Sequence, residues 1–119
     1  MNTNVFKEPV RLIENIIEVT ELIKKKIELR NGDTSREVLN LISTKDDEKY
    51  FVDNEQNYFR VYLFIEDSYS LEQVNDPKDF YESAVAFGNF QKLLSDFDAS
   101  KLFETIKDFH NTKKRYLDF

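Results

Sequence analysis

Residues 108 to 119 read DFHNTKKRYLDF and hold the chain's only histidine, His110, followed by Asn111, Thr112 and the basic trio Lys113, Lys114 and Arg115. An imidazole changes charge near neutrality and can serve as base, ligand or hydroxyl-binding group. With Asp108 it offers two metal ligands, where a structural zinc site wants about four. A Ser-His-Asp set would need a serine that no pattern places. The acidic run KDDEKYFVDNEQ has carboxylates without the glycine turn or the terminal glutamate of a calcium loop, so it reads as hairpin turns. Glycine occurs only at 32 and 88, which excludes a Gly-rich phosphate loop and a nucleophile elbow, and neither HExxH nor His-x-Asp occurs. No catalytic residue and no metal site can be assigned from these motifs.

The chain as a whole narrows the choices further. Its 119 residues suit one compact core, and 40% hydrophobic with 34% charged residues is a globular composition. The 23 acidic against 17 basic side chains give a net charge of -6, which repels phosphate backbones, so no nucleic-acid partner is expected. Lys24, Lys25 and Lys26 sit in a helical pattern flanked by Glu21 and Glu28 and read as a solvated helix face. Cysteine is absent, which removes disulfides and thiolate chemistry and fits a reducing cytoplasm. The opening MNTNVFKEPV carries no apolar run of signal-peptide length, and the longest apolar stretch is VYLFI, residues 61 to 65, so no membrane partner is expected.

These groups must be positioned by an α+β arrangement. Glu8-Pro9 looks like a helix start, and Leu12, Ile13, Ile16, Ile17, Ile23 and Ile27 predict a helix from Pro9 to Leu29, stopped at Asn31-Gly32. EVLNLIST, EKYFVD and NYFRVYLFI then predict a three-stranded antiparallel sheet with turns at KDDE and NEQN. In the last strand Phe59, Val61, Leu63 and Ile65 alternate with Tyr58, Arg60, Tyr62 and Phe64, so both faces are expected to be covered, the aliphatic one by the first helix and the aromatic one by something with polar character. Asp76-Pro77 opens a helix expected over 77 to 97, apolar around much of its circumference through Phe80, Tyr81, Ala84, Val85, Phe87 and Phe90 and therefore expected to be central. Ser100 to Phe109 reads as a short helix or extended turn. Asn111 or Thr112 caps a last helix whose basic first turn calls for a nearby anion.

NTNVFKEPVRLIENIIEVT, NYFRVYLFIEDS, FYESAVAFGNFQKLLSDF and ETIKDFHNTKKR together resemble the N-acetylhexosamine 1-kinase branch of the aminoglycoside phosphotransferase and choline kinase-like family. The likeness covers nearly the whole chain, and RVYLFIED and FHNTKKR are its most specific pieces. It implies a partial kinase small lobe over residues 1 to 66, a long helix on the three strands, and then the hinge and first helices of the large lobe over 67 to 119. It also implies that the backbone of Phe64, Ile65 and Glu66 faces an adenine ring. Glu14 would be the helix glutamate that pairs with a phosphate-holding base, with Glu18 one turn away as the alternative. His110, Asn111, Thr112 and Arg115 would lie on the substrate side, positioning a hydroxylated sugar or bracing the loop beside it. The plainer alternative gives His110 a backbone hydrogen bond while Phe109 fills the core.

Phosphoryl transfer also needs a phosphate cradle, a catalytic aspartate and metal-holding groups. The family places the cradle upstream of NTNVF and the catalytic and metal loops downstream of FHNTKKR. The expectation is therefore a central fragment of an ATP-dependent sugar 1-phosphotransferase acting on N-acetylhexosamines, whose family uses ATP and Mg, but which is inactive alone and is expected to hold no cofactor. Uncovered sheet edges and the apolar 77 to 97 helix predict a homo-oligomer. The competing expectation is a non-enzymatic α+β binding or self-assembly module. Similar sequences have been described as mucin-desulfating, but the Cys/Ser-x-Pro-x-Arg motif of formylglycine-type sulfatases does not occur here, so such a name would be inherited.

Overall fold

Proline at a first helical turn loses no hydrogen bond, and α1 begins there, running Pro9–Leu29. Ile13, Ile23 and Ile27 occupy its inward stripe and are buried. The helix stops because Asn31 turns left-handed, with φ 55°. The Gly32 N–H then reaches back to the Ile27 carbonyl at 2.9 Å, satisfying a carbonyl the helix leaves open. The computed structural model describes residues 1–74 and 76–119. Its architecture is mixed α+β, with strands β1 (Leu41–Ile42), β2 (Phe51–Val52), β3 (Tyr58–Phe59) and β4 (Val61–Tyr62), then helices α2 (Pro77–Leu93) and α3 (Thr112–Asp118).

The three β-rich runs do pair, but as two separate two-stranded ladders, β1 with β4 and β2 with β3, in place of the expected three-stranded sheet. The last run contributes to both because it is interrupted at Arg60. In the antiparallel β2–β3 hairpin Phe51 faces Phe59 and Val52 faces Tyr58. Its turn is set by Asp53, whose Oδ1 accepts the N–H groups of Glu55 at 2.9 Å and Asn57 at 2.8 Å, while Gln56 takes the left-handed position at φ 64°. The other polar cluster turns in the same manner, with Asp47 at φ 62° and the Thr44 N–H bonded to the Glu48 carbonyl at 2.8 Å.

Two compact units are present, each built from separated segments. The first comprises Met1–Ile17, Leu41–Val61 and Ala99–Phe119. It holds the β2–β3 hairpin, α3 and the buried Ile13. The second comprises Glu18–Asn40 and Tyr62–Asp98. Its core is Ile23, Ile27 and Val38, with Val19, Leu93 and Leu94 packed against it.

Two expectations about coverage are corrected. Phe59, Val61 and Leu63, on the aliphatic side of the last run, are each about half exposed and Tyr58, Arg60 and Tyr62 are partly buried, but the order reverses at its end, where Phe64 is exposed and Ile65 partly buried. Ladders of two residues present too small an apolar face to seat a helix. Nor is the Asp76-capped helix central. Asp76 does accept the Lys78 N–H at 2.9 Å as the N-cap, but α2 ends at Leu93 with Leu94 as its cap, short of residue 97, and none of its residues is buried. Only its end is anchored, through Leu93 and Leu94 against the core and through Lys26, whose ammonium donates to the Leu93 carbonyl at 2.6 Å and pairs with Asp96. Among the described residues, no helix is long and apolar enough to cross a membrane.

Candidate functional site

The histidine segment belongs to the first unit, where a 3-10 turn, Ala99–Lys101, leads through Phe103 to α3. Three successive local bonds shape the approach to the helix. The Asp108 N–H donates to Glu104 Oε1 at 2.9 Å, Phe109 N–H to the Ile106 carbonyl at 3.1 Å, and Asn111 N–H to the Asp108 carbonyl at 3.1 Å. Asp108 itself sits left-handed at φ 58°, a conformation aspartate tolerates at turns. Of the two cap candidates, Asn111 is the cap: its Oδ1 accepts the Lys114 N–H at 3.0 Å, and Thr112 opens the helix.

The anion that the basic first turn of α3 called for is Asp108. Its Oδ2 takes the Lys114 ammonium at 2.9 Å and its Oδ1 accepts from the Asn111 amide at 3.2 Å. Lys114 first, and Asn111 after it, hold the Asp108 carboxyl below its ordinary pKa of 3.8. From the sequence, Asp108 stands out only as a metal-binding partner for His110. The signal that could have found it was the need for negative charge beside three successive cations.

This turn encloses an open pocket of about 260 Å³ lined by Phe103, Glu104, Thr105, Ile106, Phe109, His110 and Asn111. The His110 ring meets Phe109 edge to face at 4.8 Å, and the Arg115 guanidinium lies 5.0 Å from the centre of the same Phe109 ring. Three of the four substrate-side candidates thus gather around one phenylalanine, His110 and Asn111 on the pocket wall and Arg115 stacked on Phe109. Thr112 stands apart as the first residue of α3. Phe109 is half exposed, so it does not fill a core in the way the plainer reading of His110 required.

Glu14 lies in the same unit as the pocket. Its carboxylate is engaged locally, accepting from Arg11 at 2.9 Å, and the Arg11 guanidinium lies 4.1 Å from the centre of the Phe103 ring. Asn15, one residue on, grips the Phe103 backbone through both ends of its amide. No motif in the sequence singles out Arg11, Asn15 or Glu104. The three-residue step from Arg11 to Glu14 was the available hint for one of them.

Phe64, Ile65 and Glu66 belong to the second unit and lie in an exposed connection after β4. The Glu66 carbonyl accepts from Arg36 at 2.8 Å, the Ile65 carbonyl from the Ser68 hydroxyl at 2.9 Å, and Asp67 is left-handed at φ 51°. An adenine hinge presents unspent backbone groups to the ring edge, and here two of the three carbonyls already have donors. No group of three or more His, Asp or Glu side chains able to hold a metal ion occurs among the described residues. No known protein-family model matches the chain.

Proposed function

We propose that the chain bears the substrate side of an ATP-dependent sugar 1-phosphotransferase resembling the N-acetylhexosamine 1-kinases. The support is the resemblance of RVYLFIED and FHNTKKR, together with one observation. The pocket at Phe103 to Asn111 sets two aromatic rings beside a carboxylate, an imidazole and an amide. That pairing suits a pyranose, whose CH face packs on aromatic rings while its hydroxyls meet a few convergent polar groups. Glu104 and His110 supply those groups, while the Asn111 amide holds the wall in place through Lys114 and Asp108. The 119 residues contain neither a Gly-rich cradle nor a His-x-Asp loop, so no phosphoryl transfer is assigned to them.

Saturation-transfer NMR on the whole chain with N-acetylglucosamine and N-acetylgalactosamine tests the reading. Transfer to the sugar protons is expected, and His110→Ala, which removes a wall without touching the α3 cap, should weaken it several-fold. Absence of transfer to either sugar would reject the assignment. The second reading, a self-assembly module without catalysis, is favoured by the uncovered aromatic face of α2.

A further inference from the structure

The end of α1 sets two separate demands on adjacent residues. Residue 31 stands left-handed at φ 55°, a conformation that asparagine adopts more readily than most side chains. Residue 32 has no positive φ, yet a Cβ there would lie 2.5 Å from Glu37 Oε1 and 2.8 Å from Ile27 Cγ2, so the space favours glycine. Together the two demands place Asn31 before Gly32, and no other asparagine of the chain precedes a glycine.

That pair of residues carries a reaction of its own. Glycine has no Cβ to shield its backbone nitrogen, so the Gly32 nitrogen can attack Cγ of Asn31. The N–Cγ bond forms as the Cγ–Nδ2 bond breaks, and ammonia leaves with the Gly32 amide proton. Water then opens the resulting five-membered succinimide at either carbonyl, giving aspartate or an isoaspartate whose side-chain carboxyl carbon carries the main chain. One water is consumed and one ammonia released, with no change of oxidation state.

The fold both exposes and restrains this step. Asn31 is exposed, so water reaches its carboxamide. The Gly32 N–H, however, is committed to the Ile27 carbonyl at 2.9 Å, and attack waits until that bond opens. Helix ends are where backbone bonds open most readily. We propose that Asn31-Gly32 is a site of spontaneous deamidation and isoaspartate formation, gated by fraying of the α1 C-terminus. Either product puts a carboxylate beside the last carbonyls of α1, where the helix macrodipole opposes negative charge. Isoaspartate also adds a methylene to the main chain just where Gly32 packs against Glu37 and Ile27. Modification therefore loosens the cap that restrains it, next to the Ile23, Ile27 and Val38 core. All these residues lie in the second unit, and the inference is independent of the sugar-kinase reading.

Peptide mapping by mass spectrometry tests it, on the full chain incubated in mildly alkaline buffer with and without guanidinium chloride, beside Ile27→Val and Asn31→Gly. The parent chain is expected to gain aspartate and isoaspartate at residue 31 in both conditions, roughly tenfold or more slowly when native. Ile27→Val, which loosens the core under the cap, should speed the native reaction several-fold and leave the denatured rate unchanged. Asn31→Gly keeps the left-handed turn without the carboxamide and should yield neither product there. An Asn31 that stays unmodified in denaturant, or in the native chain over an incubation roughly a hundredfold longer than the denatured chain needs, overturns the site. Equal native and denatured rates, or an Ile27→Val rate equal to the parent's, overturn the gating by the cap.

Discussion

Asn15 holds Phe103 by both ends of its amide: Nδ2 donates to the Phe103 carbonyl at 2.8 Å, and Oδ1 accepts the Phe103 N–H at 2.9 Å. The two residues are 88 apart in sequence, so the clamp ties the pocket segment to α1 where chain connectivity does not. Asn15→Leu removes both bonds and should cost about 1–2 kcal/mol, a net of roughly 1 kcal/mol for each. Urea unfolding of the variant measures it. An unchanged midpoint would show that the clamp holds nothing.

Asp108 gives a second expectation, with a defined sign. Lys114 and Asn111 bond its ionised form, so the folded chain binds this proton more weakly than the unfolded chain does. The stability it adds is therefore complete above its ordinary pKa of 3.8 and is lost as pH falls below that through the lower folded value. Carbon-detected NMR titration of the Asp108 carboxyl should give a midpoint below 3.8, moving upward in Lys114→Met. Asp33, Asp53 and Asp96 should titrate low for the same reason, held by Ser35, Asn57 and Lys26 respectively.

Gly32 gives a third, through space instead of backbone conformation. A Cβ there would lie 2.5 Å from Glu37 Oε1 and 2.8 Å from Ile27 Cγ2. Glu37 can swing away only by giving up the Asp33 N–H it accepts at 2.8 Å and its pairing with Arg30, and Ile27 is fully buried. Gly32→Ala should therefore destabilise by about 1–3 kcal/mol. At Gly88, where nothing is near, alanine should be neutral or stabilising for the isolated helix. Thermal unfolding of the two variants side by side reads the contrast.

Ile27 is the fourth. It is wholly inaccessible and lies at the centre of the Ile23–Ile27–Val38 cluster. Ile27→Ala should cost about 2–5 kcal/mol, and Ile27→Val about 0.5–1.5 kcal/mol. In a chain with so few buried residues the alanine variant should be largely unfolded at room temperature by near-ultraviolet circular dichroism.

Helix boundaries were legible because single residues with strong backbone preferences wrote them: Pro9 and Asp76-Pro77 at the starts, Asn31-Gly32 at a stop and Asn111 at the last cap. The polar clusters at KDDE and NEQN likewise announced turns, since Asp47 tolerates the left-handed position it takes and the Asp53 carboxylate bonds the backbone N–H groups that follow it. Coverage was not legible. Alternation along Phe59 to Ile65 separates two faces, but which face is buried depends on partners that local pattern does not encode. α2 shows the same limit, since an apolar circumference states that something should cover it and not what. At the pocket, the histidine, the amide and the arginine were visible as a motif. Glu104 and Asn15 were not, because each acts through a backbone bond that leaves no trace in residue type.

Lys26 gives the lysine run of α1 an unequal character. Its ammonium is shared between the Leu93 carbonyl and the Asp96 carboxylate, while Lys25 beside it is exposed. Acylation would have two outcomes within one tripeptide. On Lys25 it would change only surface charge, whereas on Lys26 it would strip the end of α2 of its cation and let that end fray.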